Sequence, residues 1–276
     1  MTDAVLDPFV EDDLEEIPLA ASPLETVIFQ IQFPGSLSKL KQALATETLQ
    51  TLLADSFPYA EKQRGLSWTF QPGQPPTQEP GAEFWNLSSA DRSVTASFGG
   101  ESVSVTTRSY VSRDHFLKLI SKVLAAVREA GSPPGVSRIG VRYIDRVLLN
   151  EAGAHEWTST LSVPSRGVLA VIKDADSECV TLSIQQIVYK WRDGPQLQGR
   201  WGLLPKGAII DPNMKVHDVE TWFLDIDTFI EDATGGLGFE EAEAQLVALT
   251  QRAYRFFRWM VPAPALKRFR PGSSLS

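Results

Sequence analysis

Three arginines and one aspartate in the segment 138–149 have the types and spacing to do chemistry. In an extended strand, successive side chains point to opposite faces of the sheet. Arg138, Arg142 and Arg146 therefore share one face, whereas Asp145 falls among the apolar residues of the other. Rows of guanidinium groups bind carboxylate or phosphate well, and a buried carboxylate must be hydrogen-bonded or paired.

Two interpretations of this strand stay open. In the first, Asp145 forms a structural pair with an arginine, and the arginine face is an ordinary polar sheet surface. In the second, Arg142 and Arg146 form the centre of a binding site for an anion or a partner. Replacing Arg142 with Glu separates the two: lost binding with unchanged stability supports the site, and a large fall in stability supports the pair.

The N-terminal segment is acidic and amphipathic. Residues 1–22 contain seven Asp and Glu residues and no Lys or Arg. Within it, Phe9, Val10, Leu14 and Ile17 recur at helical spacing, which predicts a short helix. A helix of about ten residues is not stable alone in water. The segment is therefore either a disordered tail, a segment that docks on its own chain, or a docking peptide for another protein.

Known catalytic patterns are missing from the sequence. We find no phosphate loop, dinucleotide fingerprint, nucleophile elbow or zinc spacing, so the catalytic residues stay unknown and we predict no cofactor and no metal. Asp225 and Asp227 share one strand face. This spacing suits a divalent ion, but a solvated strand face has the same pattern, with Trp222, Leu224 and Ile226 inward.

The charge distribution restricts the classes of partner. The net charge is −8, and the acidic N-terminal segment supplies most of it, so the rest of the chain is nearly neutral. General nucleic-acid binding is therefore not expected, because it needs a basic surface. The chain has no apolar run of the roughly 20 residues that a membrane span requires. The single cysteine, Cys179, and the absence of a signal sequence predict a cytoplasmic protein.

The order of elements predicts an α+β fold, with antiparallel sheet and helices packed on one face, and it leaves open a division into two related halves. Alternation predicts strands over 24–33, 66–71, 92–98, 102–108 and 138–149, and then near 168–173, 179–191, 199–204 and 217–230. Apolar stripes predict helices from Ser36 towards Pro58, over 113–130 and over 239–260. The proline-rich stretch 72–81 is predicted to be a loop.

Three parts are predicted along the chain. Residues 1–22 form the acidic, largely disordered tail, and residues 23–262 form one α+β body with a possible subdivision near 150–167. Residues 263–276 are basic and serine-rich, which is typical of a flexible tail.

Three stretches carry a resemblance to a known family: PLETVIFQIQF (23–33), YVSRDHF (110–116) and RIGVRYIDR (138–146). Over roughly residues 23–257 the chain resembles a sporadically distributed family of uncharacterised bacterial proteins. The resemblance implies a bacterial cytoplasm and a dispensable, mobile or defence-associated role. It brings no catalytic residues with it.

We therefore expect a non-enzymatic component that binds another protein, such as an immunity, antitoxin-like or adaptor protein, through a sheet face and the acidic N-terminal segment. The alternative is a hydrolytic or nucleotide-directed enzyme, whose site is assembled from carboxylates and arginines on separate strands. Titratable groups that converge in a deep cleft would favour the enzyme. A flat sheet face with an undocked tail would favour binding.

Overall fold

Nine strands form an antiparallel sheet with the strand order β2-β3-β4-β5-β1-β6-β9-β8-β7 in this computed structural model. The strands are β1 Leu24–Gln32, β2 Tyr59–Thr69, β3 Thr77–Ser88, β4 Val94–Phe98, β5 Ser102–Thr107, β6 Arg138–Leu148, β7 Ser183–Lys190, β8 Gln196–Leu204 and β9 Thr221–Glu231. The predicted α+β class with antiparallel sheet is confirmed.

Two of the three predicted helices are each divided, and further short helices are present. They are α1 Ser38–Ala45, α2 Thr48–Leu53, α3 Arg113–Gly131, α4 Val163–Arg166, α5 Phe239–Ala244, α6 Leu246–Met260 and α7 Ala263–Leu266, with 3-10 turns at Gly167–Ala170 and Lys267–Phe269. The structure describes residues 9, 17, 19, 21–45, 47–69, 77–131, 133, 135–149, 157–172, 179–232, 234 and 236–269. Val10 and Leu14 of the predicted docking segment lie outside the described residues.

The chain divides into two compact units, and each is built from separate stretches of sequence. Unit 1 comprises residues 1–27, 141–230 and 247–276, and unit 2 comprises residues 28–140 and 231–246. Strands β1 and β6 each contribute residues to both units. The predicted single body with a subdivision near 150–167 stays a prediction.

Unit 2 contains the strands β2 to β5 and the first three helices. The predicted hairpin of β4 and β5 is confirmed, and these strands pair antiparallel from Val94↔Thr107 to Phe98↔Val103. Helix α3 begins as predicted, because the Ser112 hydroxyl accepts the His115 N–H at 3.2 Å and so caps the first turn. Its apolar stripe is buried, as the periodicity predicts.

Unit 1 packs helix α6 against one face of β8 and β9. Ala253, Phe256 and Met260 of the helix share a core with Trp201 and Leu224 of the strands. The helix approaches so closely that a Cβ on Gly199 would lie 2.9 Å from carbons of the Phe256 ring. A side chain at this position of β8 would therefore force the Phe256 ring to shift.

The connection between β8 and β9, residues 205–220, is unusually long. These two strands pair antiparallel from Gln196↔Phe229 to Leu204↔Thr221. A hairpin between such strands needs only about two to five residues. The additional residues of this segment, called here the β8–β9 connection, contribute side chains to the site described below.

Two predicted helices are each interrupted. The helix expected from Ser36 is wrong as a single element, because Glu47 adopts a left-handed backbone with φ 60° between α1 and α2. The helix expected over 239–260 is divided at Gln245 into α5 and α6. Its inward residues, including Leu249 and Ala253, are buried as predicted.

Three further expectations are corrected. Strand β3 begins at Thr77, inside the predicted loop 72–81, because pairing with β2 extends to Thr69↔Thr77. The strand expected near 168–173 is a 3-10 turn over Gly167–Ala170, since a short apolar run fits several structures. Residues 263–269, which belong to the predicted flexible tail, instead form α7 and a 3-10 turn that bury Leu266 and Phe269.

Candidate functional site: an ion-paired row and an open strand edge

Four polar residues of unit 1 line up across four strands. The strand register places Gln186 of β7 opposite Arg200 of β8, and Arg200 opposite Asp225 of β9. Strand β6 lies beside β9, and Arg142 of β6 contacts the same aspartate. Gln186, Arg200, Asp225 and Arg142 are called here the polar row.

Asp225 is the hub of the polar row. Its two carboxylate oxygens accept hydrogen bonds from Arg142 Nε at 2.7 Å and Arg142 Nη2 at 2.8 Å, which is a bidentate pair. Arg200 donates to Asp225 Oδ2 from Nε at 2.9 Å and from Nη2 at 2.5 Å. Asp225 is only 2% exposed, so the expectation of a solvated strand face is wrong here. Trp222, Leu224 and Ile226 are inward as expected.

The β8–β9 connection is attached to this row through Asp211. Its carboxylate accepts Arg142 Nη2 at 2.8 Å and both the backbone and side-chain N–H groups of Asn213 at 2.9 Å. Burial acts to raise the pKa of Asp211, but the Asn213 amide and Arg142 outweigh it and lower that pKa. The connection is therefore held to the sheet by a charged carboxylate.

The guanidinium group of Arg142 is occupied by two carboxylates of its own chain. Burial alone would lower the pKa of its guanidinium, but Asp225 and Asp211 together raise it. Two arginines and two aspartates balance one another in this cluster, so it has no excess positive charge to attract an anion. The contacts of Arg142 fit the structural interpretation of this arginine, with Asp225 and Asp211 as its partners.

Asp145 is buried, as predicted, but not as the partner of an arginine. Within the described part of the chain, neither Arg142 nor Arg146 forms an ion pair with it, which corrects the expected Asp–Arg pair. Burial raises the pKa of Asp145 to about 8, and the charges of Asp225 and Glu25 add to the effect. This carboxyl group is therefore mostly protonated at neutral pH.

Arg146 is buried and bonded to neutral groups. Its Nη2 donates to the Thr221 hydroxyl at 2.6 Å, and its Nη1 to the Met214 sulfur at 3.4 Å. Burial lowers the pKa of Arg146, while the charge of Glu25 opposes this. Arg138 belongs to unit 2, where its Nη1 donates to Gln30 Oε1 at 3.3 Å. The three predicted arginines therefore have three different environments.

A second contact attaches the β8–β9 connection to the start of β1. The imidazole of His217 contacts the Glu25 carboxylate, and the Lys215 N–H donates to Glu25 Oε2 at 3.4 Å. The Thr26 hydroxyl donates to the Asn213 carbonyl at 3.4 Å. Sequence reasoning missed these groups, because Glu25 and His217 are 192 positions apart.

The N-terminal segment contacts its own unit wherever the structure describes it. Phe9 is 5% exposed and makes edge contacts with four rings, at centroid distances of 5.0 to 6.0 Å. Those rings belong to Tyr189, Trp191, Phe256 and Trp259. The Ile17 N–H donates to the Tyr254 hydroxyl at 2.9 Å. Of the three alternatives for this segment, docking on its own chain is the one that the contacts of Phe9 and Ile17 fit.

Strand β7 is the last strand of the sheet on its side, and its outer face carries exposed apolar residues. Among the described strands, β8 is the only one that pairs with it. Ile187 and Tyr189 pack on the core, while Ile184 is 46% exposed and Val188 is 61% exposed. Exposed edge strands of natural proteins are usually protected by charges, proline or a covering segment. β7 is a candidate binding edge that the sequence patterns did not single out.

Comparison of the sequence with protein-family models and with curated proteins gave no match. In the part of the chain that the structure describes, no helix is both long enough and apolar enough to cross a bilayer.

Proposed function

We propose that this protein is a non-enzymatic binding component that takes up a partner's strand at the β7 edge. The observation that supports this proposal most directly is that β7 is the last strand of the sheet, with Ile184 and Val188 exposed on its outer face. In strand addition, backbone hydrogen bonds supply affinity, and alternate side chains supply specificity. Strand β7 offers both its outer backbone groups and its alternate side chains to a partner.

The polar row prepares this edge for binding. Asp225 fixes β6, β9 and β8 relative to one another through Arg142 and Arg200, and the register then continues to Gln186 on β7. Preorganised surfaces lose less conformational entropy when they bind. The buried charges therefore serve binding by holding the edge strand in place, without contacting the partner.

The proposal places the partner at β7 rather than at the N-terminal segment. Phe9 is already buried among aromatic rings of its own unit, so exposing it to a partner would remove it from that core. The bacterial and defence-associated setting of the proposal comes from the sequence resemblance alone.

The test is affinity purification of the tagged full-length chain from its host, followed by mass spectrometry and reconstitution of any recovered pair from purified components. Val188→Lys places a charge on the β7 edge and should abolish recovery of the partner. The matched control is Val247→Lys, a half-exposed valine of α6 in the same unit, which should retain it. Equal recovery by Val188→Lys and the unchanged chain would contradict binding at β7.

A second candidate is the hydrolytic or nucleotide-directed enzyme. It is favoured by the convergence of carboxylates and arginines from separate strands, and by the raised pKa of Asp145, which suits a general acid. A screen of ester, phosphoester and nucleotide substrates tests it. Turnover that Asp145→Asn abolishes, in a variant that remains folded, would establish the enzyme. Turnover unchanged by that substitution would exclude Asp145 as its acid.

A further inference from the structure

We propose that the strand added at β7 is β7 of a second copy of this chain, paired antiparallel about a twofold axis at Gln186. This inference rests on the proposed function and names its partner. A symmetric dimer of this kind uses the same surface on both chains, so the surface must complement itself. The outer face of β7 meets that requirement residue by residue.

The register follows from placing the axis at Gln186. Ile184 then lies opposite Val188 of the second copy, and Val188 lies opposite its Ile184. Both half-exposed apolar side chains thus gain an apolar neighbour. Leu182, which is also exposed, lies opposite Lys190, whose methylene stem can cover it while the ammonium group stays in water.

Gln186 suits a position on the axis. A glutamine amide both donates and accepts hydrogen bonds, so two facing copies can satisfy each other. Its side chain is exposed, and within the described residues no hydrogen bond occupies it. The pairing therefore uses a polar group that the chain itself leaves to solvent.

Charge selects this arrangement over the alternatives. Lys190 is the only charged residue of β7, and antiparallel pairing places its two copies at opposite ends of the interface, about 27 Å apart at 3.4 Å per residue. Parallel pairing would bring the two ammonium groups side by side. Pairing of β7 with the other edge strand, β2, would set Ile184 and Val188 against the exposed charges of Glu61, Lys62 and Arg64.

The test is the mass of the full chain in solution, measured by sedimentation from nanomolar to high micromolar concentration. The unchanged chain should reach twice its chain mass, and so should the control Val247→Lys. Ile184→Lys and Val188→Glu should each remain monomeric, because each places two unpaired charges, one per copy, along the pairing edge, and charges on an edge strand oppose pairing. Equal thermal unfolding of all four proteins, at a concentration where the unchanged chain is monomeric, shows that substitutions at these exposed positions leave the fold intact, because dimerisation itself raises the unfolding temperature.

The double variant Ile184→Lys/Val188→Glu tests the register itself. In the proposed register the two introduced charges face each other across the axis, so the double variant should dimerise again. A double variant as monomeric as the single ones would overturn the register, and a dimer that persists in both single variants would overturn the interface.

The outcome also separates this inference from the proposed function. If the unchanged chain is monomeric at every concentration, self-pairing is overturned. The proposed function still stands in that case if Val188→Lys loses a different protein during purification from the host. If Val188→Lys loses nothing there either, both are overturned.

Discussion

The two edges of the sheet, β2 and β7, are protected in different ways. On β2, Lys62 and Arg64 are exposed and both contact Glu83 of β3, at 2.7 and 2.6 Å. On β7, the outer positions Ile184 and Val188 are apolar. Charges along an edge oppose pairing with another strand. The comparison supports the proposal that a partner covers β7, whereas the charges of β2 oppose such pairing.

The ion pairs near the two edges also differ in what they do. The side chains around Glu83 are about half exposed, and such surface pairs contribute little to stability. Asp225 is almost fully buried, and removing one partner of a buried pair leaves an uncompensated charge. Ion pairs at β2 therefore contribute little to stability, whereas those behind β7 hold the strands together.

The largest expected effect is the loss of stability when an arginine of the buried ion pairs is replaced by glutamate. The same replacement at the exposed ion pair of β2 is the comparison. Arg142→Glu sets a third carboxylate beside Asp225 and Asp211, and should lower the free energy of unfolding by about 3–5 kcal/mol or more. Arg64→Glu, the matched variant at β2, should change it little, because its site is exposed. Urea unfolding measures both. Equal losses of stability in the two variants would contradict the distinction between buried ion pairs behind β7 and exposed ion pairs at β2.

The next effect is on the pH dependence of stability, where the change within one pH unit is smaller than the effect of Arg142→Glu, and the sign is opposite on the two sides. The raised pKa of Asp145, about 8 against 3.8, means that the unfolded chain releases this proton first. Its contribution to stability is complete below about pH 4 and is lost as the pH rises to about 8, with a slope of at most about 1.4 kcal/mol per pH unit. Asp145→Asn should flatten this slope.

Glu83 at β2 should show the opposite and smallest effect. Hydrogen bonds from Lys62 and Arg64 lower its pKa, so its contribution is present above the unfolded pKa and is lost as the pH falls. Glu83→Gln should therefore alter stability slightly, and only towards acid pH. Unfolding curves from pH 3 to 8.5 check both variants, and a loss of stability above neutral pH in Glu83→Gln would contradict the assignment.

Hydrophobic periodicity correctly predicted the long elements with a strong apolar pattern. Helix α3 and strand β6 appear within a residue or two of their predicted bounds, because long apolar patterns leave one solution. The fold class followed from the order of these elements. The helix from Ser36 and the strand near 168–173 failed, since short runs leave the decision to tertiary packing.

The site itself was only partly predictable. The sequence indicated that Arg142 and Asp145 are unusual, but it paired Asp145 with an arginine. Arg142 instead binds Asp225, which is 83 positions away, and Asp225 also binds Arg200 of a third strand. Such contacts depend on strand order, which one sequence does not contain. Phe9 is comparable: its amphipathic setting predicted a docking residue, but not the surface on which it docks.

The most direct test of binding at β7 is hydrogen–deuterium exchange of the full chain, read by mass spectrometry in peptides that cover 183–190 and 59–64. We expect the β7 peptide to exchange slowly in the unchanged chain under binding conditions and quickly in Val188→Lys, because the added strand covers its outer amides. The β2 peptide should exchange equally in both. Fast exchange of the β7 peptide in both proteins would contradict the account.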